Sequence, residues 1–275
     1  MSLKSRLNHS LRTMVMKYNN YRFNHVCWLK SWLYNAMWLG LKQSFKMPIL
    51  IFNDVEVMAL GRIVINGPIE RGMIHIGAWK SKAHNSTRIF NNSLIIFNGR
   101  TEIRGGVIIE NDGTIEFKKD VRIGENCEIM CQDNIVFGDR VSIGFETQIM
   151  DTDFHFVLNV EKLKIRNCHK PTIINNGAWV ASNCKVMKGS VIPRGAIVAG
   201  NSLFNQDYSS QPQNTLFAGS PAKPIKEGFR RIQNMTSEKQ IKEYFLSHPE
   251  AHEYLVSTDN IDDFCCGDLQ FSVNV

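Results

Sequence analysis

One histidine stands where side-chain chemistry would be useful. His155 closes the run Asp151-Thr152-Asp153-Phe154-His155, so two carboxylates precede an imidazole in the order D-x-D-x-H. A neutral imidazole, whose ordinary pKa is about 6.5, can take the proton of an alcohol at neutral pH and turn a poor nucleophile into a reactive one. A neighbouring carboxylate can hold one tautomer of the ring and stabilise the imidazolium that forms, or it can bind hydroxyl groups of an acceptor. The spacing does not say which of Asp151 and Asp153 does which, and either could instead cap a turn. Asp, Asp and His are also metal-ligand types. No Cys-x-x-Cys pair accompanies them, and no metal is expected.

What positions this run is a repeat. From Ile174 onward an aliphatic or aromatic residue returns every sixth position, at Ile174, Val180, Val186, Ile192, Val198 and Phe204. The residue four places after each aliphatic from Val180 is small: Cys184, Ser190, Ala196 and Ser202. The same step appears upstream in the groups 97/103/109, 117/123/129 and 137/143/149. A step of six drifts around an α-helix, whereas in extended chain it returns each side chain to the same face. Three short strands with three corners then close a triangular coil, and stacked coils pair their strands in parallel. The groups predict about five coils of an all-β, left-handed parallel β-helix, with Gly124, Gly138, Gly144, Gly177, Gly189, Gly195 and Asn201 at corners. Jumps between groups mark insertions. The largest covers roughly residues 151–172, and His155 lies at its start, on a loop that a rigid scaffold would present. The stretch Asn126 to Asn134 breaks the pattern.

Composition bounds the alternatives. The 275 residues, 43% of them apolar and 21% charged, fit a globular chain with one large domain and extensions. The net charge of +6 is mild, and no run of Lys and Arg is long enough for a nucleic-acid arm. Seven scattered cysteines give no disulfide framework and suit free thiols in a reducing cytoplasm. The basic start lacks the clean apolar run of a signal peptide.

The hexads, together with Asp151–His155, the segment Asn175–Ser182 (NNGAWVAS) and Ala218–Lys226 (AGSPAKPIK), resemble the hexapeptide-repeat acyltransferases, in the branch that O-acetylates sugars. The resemblance covers roughly residues 60–227. It implies a homotrimer with acetyl-CoA as co-substrate in the groove between neighbouring prisms, a saccharide acceptor, a surface-polysaccharide pathway and His155 as the base. It also implies that Trp179 and Ser182, three places later, meet the pantetheine arm, that Gly200 does so one coil on, and that Lys223 and Lys226 meet the CoA phosphates. Where the family often has Thr-Lys after the last hexad, this chain has Asn205 and Gln206, so the adenine end around the expected contact at Asn205 has one positive charge fewer. The resemblance leaves other acceptors open, among them an antibiotic, serine or an amino sugar. The same coil also serves zinc-dependent carbonic anhydrases, for which the coil region offers only the scattered His75, His84, His155 and His169.

The expected domains are a Trp-rich helical segment at 1–60, the coil at 61–227 and a helical extension at 228–275. Residues 21–45, with Trp28, Trp32 and Trp38 among leucines, read as one or two amphipathic helices. Their aromatics either pack on the coil or across a trimer, or lie in a membrane interface, which would make the protein membrane-associated. Downstream, Ser237–Leu246 reads as a helix capped by Ser237, in an extension that packs on the prism or covers its end.

Overall fold

The computed structural model describes residues 25–78 and 85–267. The chain winds as a left-handed parallel β-helix with three strands per coil. Face A stacks Ile49–Ile51, Ile74–Ala78, Thr101–Arg104, Val121–Ile123, Ser142–Ile143, Trp179–Val180, Ile197–Val198 and Leu216–Ala218. Faces B and C share the long strands Val55–Ile65 and Thr87–Phe97, which bend from one face to the other. Face B continues through Ile108–Asn111, Glu128–Cys131, Gln148–Met150, Lys185–Val186 and Leu203–Phe204. Face C continues through Thr114–Phe117, Asn134–Phe137, Thr172–Ile174 and Val191–Ile192.

Register explains why the six-step pattern folds this way. Ile103, Ile123, Ile143, Val180, Val198 and Phe217 are successive partners on face A, all buried. On face C, Phe97, Phe117 and Phe137 form a column of stacked rings with centroids 5.2 and 4.9 Å apart, continued by Ile174 and Ile192. The small residues Cys184, Ser190, Ala196 and Ser202 are buried beside the corners. Burial raises the Cys127 thiol to about 12, which fits an inert core position.

The corners use two devices. Gly177, Gly189, Gly195 and Asn201 have positive φ, as expected of them. Gly124, Gly138 and Gly144 do not. There the need is close approach: a Cβ on Gly144 would stand 2.5 Å from the backbone nitrogen of Ser182 in the next coil.

The coil begins earlier than the hexads suggest. Ile49–Ile51 pairs with Ile74–Ala78, and Val55–Ile65 crosses the expected division at residues 60 and 61. Ahead of it, helix α1 (Trp28–Leu39) and the single turn α2 (Leu41–Ser44) cover the first coil. The exposed edge of Ile49–Ile51 would otherwise be a template for strand addition. α1 occupies it with side chains: Ser31 Oγ accepts from Ile51 N at 2.9 Å, Asn35 Oδ1 accepts from Ile49 N at 3.2 Å, and Asn35 Nδ2 donates to Ile49 O at 2.7 Å. Tyr34 and Trp38 stack on each other and pack on the core, but Trp28 and Trp32 remain exposed. Residues 1–24 of the expected helical segment lie outside the described residues.

At the other end, Lys223–Lys226 turns back antiparallel on Leu216–Ala218 and closes that edge. The described part of the C-terminal extension, to residue 267, runs along the side of face A and does not cover the end. Phe229 N donates to Asn214 O at 2.8 Å, and Gln233 Nε2 donates to Arg140 O at 3.1 Å. Helix α3 (Met235–Ser247) is capped by Asn234, whose side chain accepts from Thr236 N and Ser237 N at 3.0 and 3.3 Å. The expected cap, Ser237, is buried inside the first turn. A last short helix, α4 (Ile261–Cys266), is tied back by Arg230 to Asp262.

Candidate active site

The insertion after Gln148–Met150 leaves the prism at the corner between faces B and C. Its base is an antiparallel bridge between Thr152 and His169, and its tip is a small hairpin, Leu158–Asn159 with Lys164–Ile165. His155 sits near the base, on the outgoing limb, and is exposed. The preceding Phe154 has φ of 59°, a left-handed turn held by Phe154 N donating to Thr152 Oγ1 at 2.9 Å. His155 N donates to Asp153 O at 2.7 Å, so the backbone fixes where the ring leaves the chain.

The two carboxylates have separate duties. Asp151 is fully buried. Its oxygens accept from Gln132 N at 2.8 Å and Asp133 N at 2.9 Å, and Cys131 Sγ donates to it at 3.3 Å. It ends a buried polar column of Asn91, Asn111, Cys131 and Asp151, and it does not reach His155. Asp153 is half-exposed and pairs with Lys188 Nζ. The same ammonium donates to Asn167 O and Cys168 O, both at 3.3 Å, so Lys188 clamps both limbs of the loop at its base. Sequence reasoning missed Lys188. It missed the column too, although the step of twenty from Asn91 to Asn111 and Cys131 to Asp151 was available as a signal.

The positions assigned to the thioester lie on other edges. Trp179 is on face A. Ser182 and Gly200 follow it at the corner between faces A and B, one coil apart, with Asn201 N donating to Ser182 O at 3.2 Å. No described residue accepts the amide N–H of Ser182 or of Gly200. A Cβ on the exposed Gly200 would meet only the Ser182 carbonyl, at 3.3 Å, so glycine keeps this strip of backbone open. Such a strip suits the amides of a pantetheine chain. Lys223 and Lys226 are exposed on the returning strand, with Lys226 Nζ 5.7 Å from the Phe229 ring centroid. Asn205 is exposed after Leu203–Phe204, on the B–C corner that also carries the His155 loop. Trp179, Ser182, Gly200 and the two lysines thus lie along face A or its corner with face B, whereas His155, Asp153 and, two coils on, Asn205 lie along the B–C corner.

Trp179 has a partner that the sequence did not reveal. The Arg231 guanidinium of the C-terminal extension lies 4.6 Å from its ring centroid. Arg104, Arg122 and Arg231 line a cleft of about 370 Å³ with Trp179, Gly144, Glu125 and Glu146. Burial lowers the pKa of Arg122, with Arg104 adding to the effect and Glu102 opposing it. Burial also lowers that of Arg231, against the raising influence of Glu238.

Among the described residues no three metal-ligand side chains converge. His75 is buried under face A and pushed below its usual pKa by burial, while His169 faces Asp133 at 3.3 Å. His84 lies outside the described residues.

No family model matches the chain. In sequence it is similar to WbbJ of Escherichia coli strain K12, described as a lipopolysaccharide biosynthesis O-acetyl transferase, with 25% identity over 123 residues. That match covers 42% of this chain and 61% of the relative. It is also similar to an acetyltransferase of Schizosaccharomyces pombe, 26% identical over 133 residues, 48% of this chain and 60% of the relative. The match thus spans about three fifths of the length of each relative. Among solved structures, the polySia-specific acetyltransferase NeuO superposes with a TM-score of 0.54 at 17% identity, over 73% of this chain and 93% of NeuO. The coil is a fold shared with that enzyme.

Proposed function

We propose that this chain is an O-acetyltransferase that moves an acetyl group from acetyl-CoA to a hydroxyl of a sugar, in the assembly of a surface polysaccharide, with His155 as general base. The reading is supported by the relatives above and by the residues of the acyltransferase resemblance. The single observation that carries it is geometric. His155 stands exposed on a clamped loop at one corner of the prism, and the open amides of Ser182 and Gly200 line a different corner.

One copy of the chain does not bring these corners together, so the working unit is a homotrimer whose seams do. The loop beyond His155 supports this. Phe156, Val157, Val160 and Leu163 are between 68% and 79% exposed, an apolar arm with no core of its own to pack on. Set into a neighbour's groove, it would shed water and carry His155 to the Ser182 corner.

The chemistry then needs few groups. Ser182 and Gly200 donate backbone N–H groups to the pantetheine arm, while Lys223 and Lys226 attract the CoA phosphates. His155 takes the proton of the acceptor hydroxyl as its oxygen attacks the thioester carbonyl. The new C–O bond forms, the C–S bond breaks, and the imidazolium returns its proton to the departing CoA sulfur. Asp153, paired with Lys188, holds the loop and so the ring. The described cysteines are all free, which agrees with work in a reducing cytoplasm.

The test is turnover of acetyl-CoA with a panel of oligosaccharides, read as release of the CoA thiol. His155→Ala is expected to lose about 10² to 10⁴ in kcat with unchanged melting temperature. Full turnover in that variant would remove His155 as base. An absence of thiol release by the wild type with every sugar offered would remove the sugar assignment.

A further inference from the structure

Helix α1 is amphipathic in an inverted sense. Its polar residues Ser31 and Asn35 are buried because they satisfy the edge of the first strand. Its apolar residues face away from the coil: Trp28, Leu29, Trp32, Leu33 and Met37 recur at helical spacing, and Leu29 is 76% exposed. α2 and its flank extend the same exposed character through Leu41 and Phe45, at 65% and 76%. Such a stripe beside an otherwise well-packed coil asks for a partner.

The charge around it says which. The first 53 residues contain eight Lys and Arg and no Asp or Glu, whereas the rest of the chain has two more acidic than basic residues. The whole positive excess of the protein therefore lies within the first 53 residues of the sequence. Around the stripe, Lys42 and Lys46 are exposed, Lys30 stands over the Asn53 and Val55 carbonyls, and Arg71 lies 5.4 Å from the Trp28 ring centroid. Tryptophan with leucine, bordered by these cations, matches the boundary between lipid tails and anionic headgroups.

We propose that this end of the prism docks on an anionic membrane, with α1 lying in the interface plane. It does not span: at 12 residues α1 is about 18 Å long, and a bilayer core is about 30 Å. Among the described residues no helix is long and apolar enough to cross. Docking at the capped end leaves the sides of the prism, with His155 and the Ser182 corner, clear of the lipid. The inference stands apart from the acetyl transfer proposed above and fails or survives separately from it.

Flotation of the full chain with vesicles tests it, using phosphatidylcholine alone and phosphatidylcholine with about a quarter phosphatidylglycerol. The wild type is expected to float with the anionic vesicles and to be released at about 0.5 M salt, where charge attraction is screened. Leu29→Ser with Leu33→Ser is expected to weaken binding at least about tenfold, and Lys42→Glu with Lys46→Glu to weaken it for the anionic vesicles in particular. Both pairs sit on exposed positions, so far-UV circular dichroism should be unchanged. Wild-type protein that ignores anionic vesicles, or variants that float as well as wild type, would overturn the proposal. So would a drop in oligomer mass by light scattering for the leucine pair, because the stripe would then belong to a second copy of the chain.

Discussion

At the scale of single residues, the run from Asp151 to His155 separates into an exposed part, which carries the proposed base, and a buried carboxylate that holds the fold. Asp151 ends a buried column and neutralises two backbone N–H groups at a widened corner. Removing that acceptor leaves two half-buried donors without it, at a cost of about 1–3 kcal/mol. Asp151→Ala should therefore melt markedly lower. Asp151→Asn keeps one carbonyl oxygen and turns the other acceptor into a donor, so its loss should be intermediate. Below their melting temperatures both variants should keep kcat within about threefold of wild type, since a folding role leaves the chemical step untouched. A folded Asp151→Asn protein with kcat down a hundredfold would return Asp151 to the catalytic group. The pentapeptide alone could not separate the buried carboxylate from the exposed one. Burial depends on where the chain leaves the prism, and D-x-D-x-H looks the same whether its first carboxylate faces the core or the solvent.

At the scale of strands and corners, most of the fold was legible because it is periodic. Every inward side chain from Phe97 to Phe204 lies in the column that its spacing assigns. The pattern faded where the period changed. From Phe97 to Ile149 each coil has twenty residues, and the two additional ones widen the B–C corner around a polar column, which is what makes Asn126 to Asn134 look irregular though the strands continue. The first coils were missed for a similar reason: Val55–Ile65 and Thr87–Phe97 bend from face to face without a corner signal. Close approach at the glycine corners ties an element to the site. A methyl on Gly144 would press on Ser182 N and one on Gly124 would press on Gly144, at 2.5 and 2.7 Å. Gly144→Ala and Gly124→Ala should each destabilise by about 1–3 kcal/mol. Only the first should also raise KM for acetyl-CoA, because only it displaces the amide assigned to pantetheine. Equal KM values in both variants would detach Ser182 from the cofactor.

At the scale of the whole molecule, the decisive feature is that the proposed base and the proposed thioester groove occupy different corners of one prism, which no reading of a single chain's spacing could supply. In the proposed cyclic trimer each seam would take its histidine loop from one subunit and its Ser182–Gly200 strip from the next. Two inactive proteins should then repair one another. His155→Ala has an intact groove and no base. Ser182→Trp fills the groove and keeps the base. Unfolded together in equal amounts and refolded, or made together in one cell, they assort at random. A seam is active when a Ser182→Trp subunit supplies the loop and a His155→Ala subunit supplies the groove, which occurs at about a quarter of seams. The mixture should therefore recover about a quarter of wild-type turnover, while the same proteins mixed after assembly recover none. If the base and groove of one subunit served the same thioester, no assortment would restore activity. A refolded mixture that stays inactive, with trimers present by light scattering, would thus refute the shared seam and put the base and the groove of one subunit at the same thioester.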